Sequence, residues 1–441
     1  MTTVPRAPSD PGAAAHPSAR ELLRRFHALP EARLALLRQA AEVALACDCA
    51  LYWVGGGVRD LWLGTSEPDV DLVVDGDLVR YARELAGRFR TEFRSHPEFL
   101  TAELLAPGGV RVDLAQARSE RYAAPATLPI VAPGTLASDF ARRDFTINCL
   151  SIALAPDFGE RLIDACGGLE DLAHRRLRTL HAASFRDDPT RILRGLEFEA
   201  RFGFELAPEA RTAAEQAIAG GVLTLLSAGR LGDAFRRALR RAAGAPQVLR
   251  RMHELALLAA IEPGLGRAAG AAAELDAALP EAVGEQPGTA FRLALLCLAL
   301  ELDAGERQRL ARRLALTAAE RVLVTGGPER VRAAITALAA ESRPSLVHRQ
   351  LGALADEELA VVAASGGKAR SWVRRERSEL RALQLRIHGG DLIAAGEPPG
   401  PALGRALELT LAARLDGRIG AEDELAFALG AARLAAGEGS A

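Results

Sequence analysis

Asp69 and Asp71 stand two residues apart in the run DVDLVV, whose alternation predicts a strand from Asp69 to Val74. Side chains at i and i+2 of a strand share a face, so the two carboxylates point one way while Val70, Leu72 and Val74 point to the core. Carboxylates held side by side repel unless a cation lies between them, and magnesium, with its preference for oxygen donors, is the simplest candidate. Upstream, Gly55-Gly56-Gly57 follows a short apolar strand, Leu51–Val54, and precedes a helix predicted to open at Val58. Successive glycines leave backbone N–H groups bare ahead of a helix N-terminus, an arrangement that suits a phosphate. Taken singly, the first feature reads equally as a solvated strand edge and the second as an ordinary turn. Their succession within one strand–turn–helix–strand unit suggests metal-assisted phosphoryl or nucleotidyl transfer.

Those groups need a sheet and flanking helices to hold them. Residues 19–48 give one or two helices with Leu34, Leu37 and Val43 on an apolar stripe, and Leu78–Phe89 gives another. A hairpin follows, EFLTAELL and VRVDLAQA, turning through Ala106-Pro107-Gly108-Gly109. On its second arm Asp113 faces away from Val110, Val112 and Leu114, either as a third carboxylate beside Asp69 and Asp71 or as a partner of Arg111 or Arg118. Ala117–Gly134 is too interrupted by proline for a helix and too charged for a core, so it reads as a long loop of the kind that tends to be functional. Arg142 and Arg143 offer planar multi-donor forks for a triphosphate or ribose, with Asp144 orienting one of them and Asn148 in reach of a ribose hydroxyl. The alternative there is a helix start with Asp144 near the N-cap and the arginines in solvent. Asp188-Pro189 reads as an N-cap and N1 proline opening a helix, with Ile192, Leu193, Leu196 and Ala200 buried and Arg191 and Arg194 on a neighbouring face.

With 49% hydrophobic residues but only 5% aromatic, the apolar mass is mainly Ala and Leu, which favours helices, and from about residue 266 the pattern is helical throughout. A net charge of −2 excludes a global basic footprint, so nucleic-acid contact must come from local patches. The densest is Arg236, Arg237, Arg240 and Arg241 with Arg250 and Arg251, followed by Arg374, Arg375 and Arg377; a solvated helix face explains the first run as well as phosphate contact does. No apolar run reaches membrane-spanning length and the Pro/Ala-rich start lacks a signal-peptide core, so a cytoplasmic protein with no membrane partner is expected. The five cysteines show no zinc spacing and are expected to be reduced thiols.

G-G-x-V-R-D followed by D-V-D-L-V-V resembles the first signature of the class II tRNA nucleotidyltransferase and bacterial poly(A) polymerase family. Arg142–Asn148 resembles its R-R-D-F-T-x-N signature, Asp188–Arg194 its D-x-x-R element, Ile163–Leu172 its glycine-containing link, and Gly389–Gly404 a C-terminal stretch of its long members. The likeness is strong from Trp53 to Arg201 and collinear beyond. It implies an α+β chain: a nucleotidyltransferase head with a small mixed sheet, then all-α neck, body and tail. The corresponding divisions are a disordered tail over 1–18, a catalytic head over 19–155, a base-recognising neck over 156–265, and a tRNA-binding body and tail over 266–441.

The resemblance further implies that Asp69 and Asp71 hold two Mg²⁺ ions, with Asp113 as a further catalytic candidate. It assigns Gly55, Gly56, Arg59, Arg143, Asp144, Asn148, Asp188, Arg191 and Arg194 to nucleotide binding. ATP, CTP and the tRNA 3′ end are the implied partners. C and A both present an amine donor beside a ring-nitrogen acceptor, so an Asp188/Arg191 pair would accept them and leave unpaired groups with U or G, a mismatch that can cost about 10⁴-fold. Ala117–Gly134 matches a flexible loop needed for the switch from C to A addition, and its full length argues against a CC-only enzyme. Two positions depart from the family pattern: Glu197 stands where a third arginine is usual, and Gly229 and Ala234 replace acids beside Arg230. The expected function is CCA addition to tRNA. Its rivals are an A-adding enzyme with a separate CC-adding partner, a poly(A) polymerase, and a non-catalytic RNA-binding module, which predicts loss of the metal aspartates that are in fact present.

Overall fold

Ala50–Val54 (β1) is buried at every position, and it lies inside a seven-stranded sheet rather than at an edge. The computed structural model describes residues 17–65, 67–282 and 286–437. The tail expected over 1–18 lies outside these, apart from Pro17 and Ser18, which open the first helix.

The chain runs α1 (Pro17–His27), α2 (Glu31–Ala46), β1, α3 (Gly56–Trp62), β2 (Val70–Asp75), α4 (Leu78–Phe89), β3 (Phe93–His96), β4 (Thr101–Ala106) and β5 (Val110–Gln116). It continues through β6 (Arg118–Arg121), β7 (Ile130–Pro133), α5 (Leu136–Ala141), β8 (Leu150–Ala155) and β9 (Leu162–Asp164). The sheet order is β3-β4-β5-β2-β1-β8-β9. It is mixed: β2 and β5 run parallel, and the other neighbours are antiparallel. Alternation along β1 sends Tyr52 and Val54 into a core with Val73, Phe140, Cys149 and Ala153. Trp53 goes to the opposite face, where its ring lies 5.9 Å from that of Phe26 on α1. Asp77 caps α4 by accepting from the Arg80 amide at 3.0 Å, so that helix begins where the sequence places it.

Three expectations change. The helix after the glycine turn opens at Gly56, not Val58, because the Gly55 carbonyl already accepts from the Arg59 amide at 3.0 Å. Asp69 lies just before β2 rather than on it. The segment read as a loop over Ala117–Gly134 contains a two-stranded antiparallel ribbon, β6 with β7, in which Arg118 pairs with Pro133 and Arg121 with Ile130. Proline disrupts little there, because Pro125 and Pro129 fall in the connection and Pro133 closes the strand end.

Beyond the sheet come α6 (Gly168–Ala173), β10 (Arg176–Leu177), α7 (Ser184–Asp187), α8 (Thr190–Phe202), β11 (Glu205–Leu206), α9 (Pro208–Ala219) and α10 (Ala228–Ala238). β10 and β11 form a short parallel ladder within this otherwise helical stretch. Asp164 caps α6, accepting from the amides of Gly168 and Leu169 at 2.7 and 3.0 Å. Phe145 is fully buried and joins α8 to the R-R-D-F-T segment, its ring 5.9 Å from Phe198 and 6.3 Å from Phe185. Gly195 of α8 lets that ring approach, since a Cβ there would lie 3.0 Å from the ring edge.

The chain forms two compact units, one running to Ala234 and including Leu255–Ala260, the other comprising Phe235–Glu254 and the residues from Ile261. The boundary falls within α10, inside the stretch read as one neck. The second unit is helical; its longest helix, Ala318–Ala340, is capped by Thr317 and Glu320. Within it Arg236 pairs with Glu320 at 3.0 Å and lies over the Phe291 ring, so this member of the basic run is structural, while Arg237, Arg240, Arg241 and Arg250 are exposed. All five cysteines are free thiols. Among the described residues no helix is long and apolar enough to cross a membrane.

Candidate active site

The parallel ladder sets Asp71 of β2 directly opposite Asp113 of β5. Both alternatives for Asp113 are thus realised: it neighbours Asp71, and it accepts from Arg111 Nε at 2.9 Å, while Arg118 turns to Glu120 at 3.0 Å. Burial, then the charges of Asp113 and Asp69, push the Asp71 carboxyl up to about 6, against the opposing pull of Arg143 and Arg59. A carboxylate held that far above its ordinary range by burial and by neighbouring acids is one that a cation would relieve. Among the described residues no three acidic, histidine or cysteine side chains converge as a ready cage. Two carboxylates nevertheless suit magnesium, which binds proteins through one or two of them and completes its shell with water and phosphate oxygens.

The glycine turn faces this carboxylate. Gly55 has φ +65°, a left-handed value natural to glycine. A Cβ on Gly56 would sit 3.7 Å from Asp71 Oδ2 and 3.5 Å from the Arg59 guanidinium, so the missing side chain keeps open the space between acid and base. Arg143 closes the turn from the other side, donating to the Asn148 carbonyl at 2.7 Å. Asp144 does not orient it. Asp139, fully buried on α5, does: one oxygen accepts from Arg142 Nε and NH2 at 2.8 and 2.6 Å, the other from Arg143 NH2 and Nε at 2.7 and 3.2 Å. The R-R-D segment is therefore neither a helix start nor solvent-exposed.

Asp144 serves a different cation. Its Oδ2 pairs with Arg194 Nε at 2.5 Å and its Oδ1 accepts from Asn148 Nδ2 at 2.8 Å. Asn148 Oδ1 accepts in turn from Arg59 NH1 at 2.6 Å, Arg59 pairs with Asp60 at 2.7 Å, and Asp60 with Arg201 at 3.1 Å. The result is an alternating chain, Arg194–Asp144–Asn148–Arg59–Asp60–Arg201, whose three guanidiniums lie over Phe198 and Phe202 at 4.5–5.4 Å. Asp139, Asp60 and Arg201 are additions to the residues named from the sequence. Arg201, one turn beyond Glu197, supplies a cation near the position where the family pattern has its third arginine.

Asp188 and Arg191 come together by backbone, not as a mutual side-chain pair. Helix α8 starts at Thr190, so Pro189 precedes it; the Asp188 carbonyl accepts from the Arg191 amide at 3.1 Å, and its side chain accepts from the Thr190 amide at 3.1 Å and hydroxyl at 2.7 Å. Arg191 is buried and donates to Ser184 Oγ at 2.6 Å and to the Arg142 carbonyl at 2.7 Å. Arg230 donates to Asp188 Oδ1 at 3.1 Å and to the Ala126 carbonyl in the β6–β7 connection, whose own amide donates to the Arg186 and Asp187 carbonyls. One guanidinium thus ties the ribbon tip to the turn bearing Asp188. Arg230→Ala is expected to speed amide exchange across Arg118–Pro133 about tenfold or more, because hydrogen bonds to a charged group contribute about 1.5–3 kcal/mol; unchanged exchange would show that the tip holds without it.

A mixed sheet that presents two acids to a glycine turn, with an arginine-rich helix behind them, is the arrangement that the motif resemblance implies for a nucleotidyltransferase head. Residues 51–178 match the Poly A polymerase head domain. The chain is 33% identical over 421 residues to an A-adding tRNA nucleotidyltransferase of Geobacter sulfurreducens, covering 90% of this chain and 46% of that protein. It therefore spans about half the length of that relative. Among solved structures, a CCA-adding enzyme in apo form II is 28% identical with a TM-score of 0.80, covering 92% of this chain and 97% of that one. A Thermotoga maritima CCA-adding enzyme complexed with tRNA is 27% identical with a TM-score of 0.76, covering 92% and 98%. The head-domain match and these likenesses fall on the family that the motifs resemble, the tRNA nucleotidyltransferases and poly(A) polymerases.

Proposed function

We propose that the protein adds C and A nucleotides to tRNA 3′ ends without a nucleic-acid template, completing CCA from CTP and ATP with release of pyrophosphate. The observation that carries this reading is the raised Asp71 carboxyl, flanked by Asp69 and Asp113 and facing the open Gly56 turn and Arg59. Asp69 and Asp71 are the residues that would hold Mg²⁺, which when bound lowers the pKa of the primer 3′-hydroxyl and steadies the triphosphate and departing pyrophosphate. Arg59, Arg143 and Arg194, each fixed by a carboxylate or amide partner, present preset donors to the phosphates and ribose, so little ordering is needed on binding. Asp188 keeps one oxygen outside its bonds to Thr190 and Arg230 for an exocyclic amine, and Arg191 has N–H groups beyond those used on Ser184 and Arg142 for a ring nitrogen. In this reading 19–155 is the catalytic head, 156–265 the neck and 266–441 the tRNA-binding body and tail, in a cytoplasmic protein.

A-only addition is the second reading, favoured by the name of the Geobacter relative. The two separate on tRNAs ending at the discriminator base, at C and at CC, with CTP and ATP supplied singly and together. CCA completed from the bare discriminator supports the first reading. A added only to CC ends replaces it with the second, and long A tails on unrelated RNA would make the protein a poly(A) polymerase.

A further inference from the structure

The geometry points to Trp53 as a positioning residue for the acidic pair: its indole N–H fixes the backbone of Asp69, and so sets how the Asp69 carboxylate meets a divalent cation beside Asp71. This rests on the metal-dependent reading above. Asp71 lies within β2 and pairs in the ladder with Asp113 of β5, but Asp69 lies outside the strand, is exposed, and follows the exposed stretch Leu63–Thr65 and Glu67. Its carbonyl accepts from Trp53 Nε1 at 3.0 Å, beneath the face on which the carboxylates stand. Trp53 has no exposed surface, so its N–H needs an internal acceptor, and Phe26 packed 5.9 Å away fixes the ring that carries it.

Gly57 converges on the same point. A side chain there would overlap both the Asp69 carbonyl and the indole nitrogen. The first turn of α3, the indole and the Asp69 peptide therefore meet in one close contact, which links the placement of the glycine turn to that of the carboxylate. Leucine or phenylalanine at 53 would also bury apolar surface, though with a smaller side chain. Only a side chain with a donor that reaches the Asp69 carbonyl also holds that peptide, so the choice of tryptophan bears on the site rather than on the core alone.

The test is Trp53→Phe, which keeps an aromatic ring against Phe26 and deletes the N–H. Manganese binding to the full chain, followed by electron paramagnetic resonance, is expected to weaken about fivefold to tenfold, the loss that one hydrogen bond predicts. Amide exchange at Val70 and Asp71 should quicken and the metal concentration for half-maximal incorporation should rise in step, while a melting temperature lower by a few degrees is the cost of a smaller buried ring in any role for Trp53. Asp71→Asn serves as the control that abolishes manganese binding. Wild-type affinity in Trp53→Phe, with the control behaving as stated, overturns the positioning role alone. Manganese binding absent from the wild type, or unchanged in Asp71→Asn, overturns the metal reading and the proposal with it.

Discussion

Asp71→Asn is expected to abolish nucleotide incorporation, by about 10³-fold or more, while making the metal-free protein more stable. The loss follows from removing a carboxylate that would hold the cation, whose stabilisation of developing charge amounts to several kcal/mol, each 1.36 kcal/mol being tenfold in rate. The gain follows from electrostatics. The Asp71 carboxyl is raised to about 6 from an ordinary 3.8 by burial and by Asp113 and Asp69. Between those values the folded protein holds a proton that the unfolded chain has lost, so stability falls as pH rises through the interval and stays lower above it. Asparagine removes the buried charge and its repulsion by Asp113 and Asp69, and above pH 6 the metal-free variant should gain about 1–2 kcal/mol, allowing for solvent near the site. Magnesium should then stabilise the wild type and leave Asp71→Asn unmoved. Metal affinity in the wild type should fall as pH drops below about 6, where Asp71 takes up its proton. Thermal melts with and without magnesium at pH 5 and 8 check both signs. A variant less stable than the wild type without metal would contradict this description of the acidic pair.

Asp139→Asn should be the most destabilising single change in the first unit. Asp139 is fully buried and accepts four N–H groups from Arg142 and Arg143. Burial alone would raise its carboxyl, but the Arg143 and Arg142 charges outweigh that and hold it below the usual carboxylate range. Removing one partner of a buried ion pair costs about 3–5 kcal/mol; here Arg143 loses its paired carboxylate, while Arg142 keeps Glu120 at 3.2 Å. Arg143, which contacts the glycine turn, would also lose its orientation, so nucleotide affinity should fall with stability. Because the folded-state carboxyl is depressed, its contribution is present above the ordinary carboxylate pKa and is lost as pH falls through the folded one; the variant should therefore show a shallower acid limb. Urea unfolding from pH 3 to 8 measures this. A change below about 1 kcal/mol at pH 7 would mean that the two arginines hold each other in place by other means.

Much of this is legible in the sequence because short-range rules govern it. The helix read over Leu78–Phe89 and the strand read from the alternation of Val110, Val112 and Leu114 both occur as read. Asp139 is four residues before Arg143 and three before Arg142, a helical spacing that a reading centred on the adjacent R-R-D overlooks. The alternating chain from Arg194 to Arg201 is a different matter. Its links join residues as distant as Arg59 and Asn148, or Asp60 and Arg201, and no local pattern announces them. The β6–β7 ribbon escapes notice for a related reason: four-residue strands of mixed polarity carry little periodicity, and what stabilises them is their pairing and the fastening of their tip by Arg230.

The most direct test of the whole reading is single-nucleotide incorporation by the purified chain with magnesium, on a CC-ended tRNA, from each of the four nucleoside triphosphates in turn and with no template present. Extension by ATP, with UTP and GTP at least about 10³-fold less effective, is the outcome that the Asp188 and Arg191 arrangement requires. Equal use of all four nucleotides would contradict selection by those side chains. No product from any of them would contradict the nucleotidyltransferase itself.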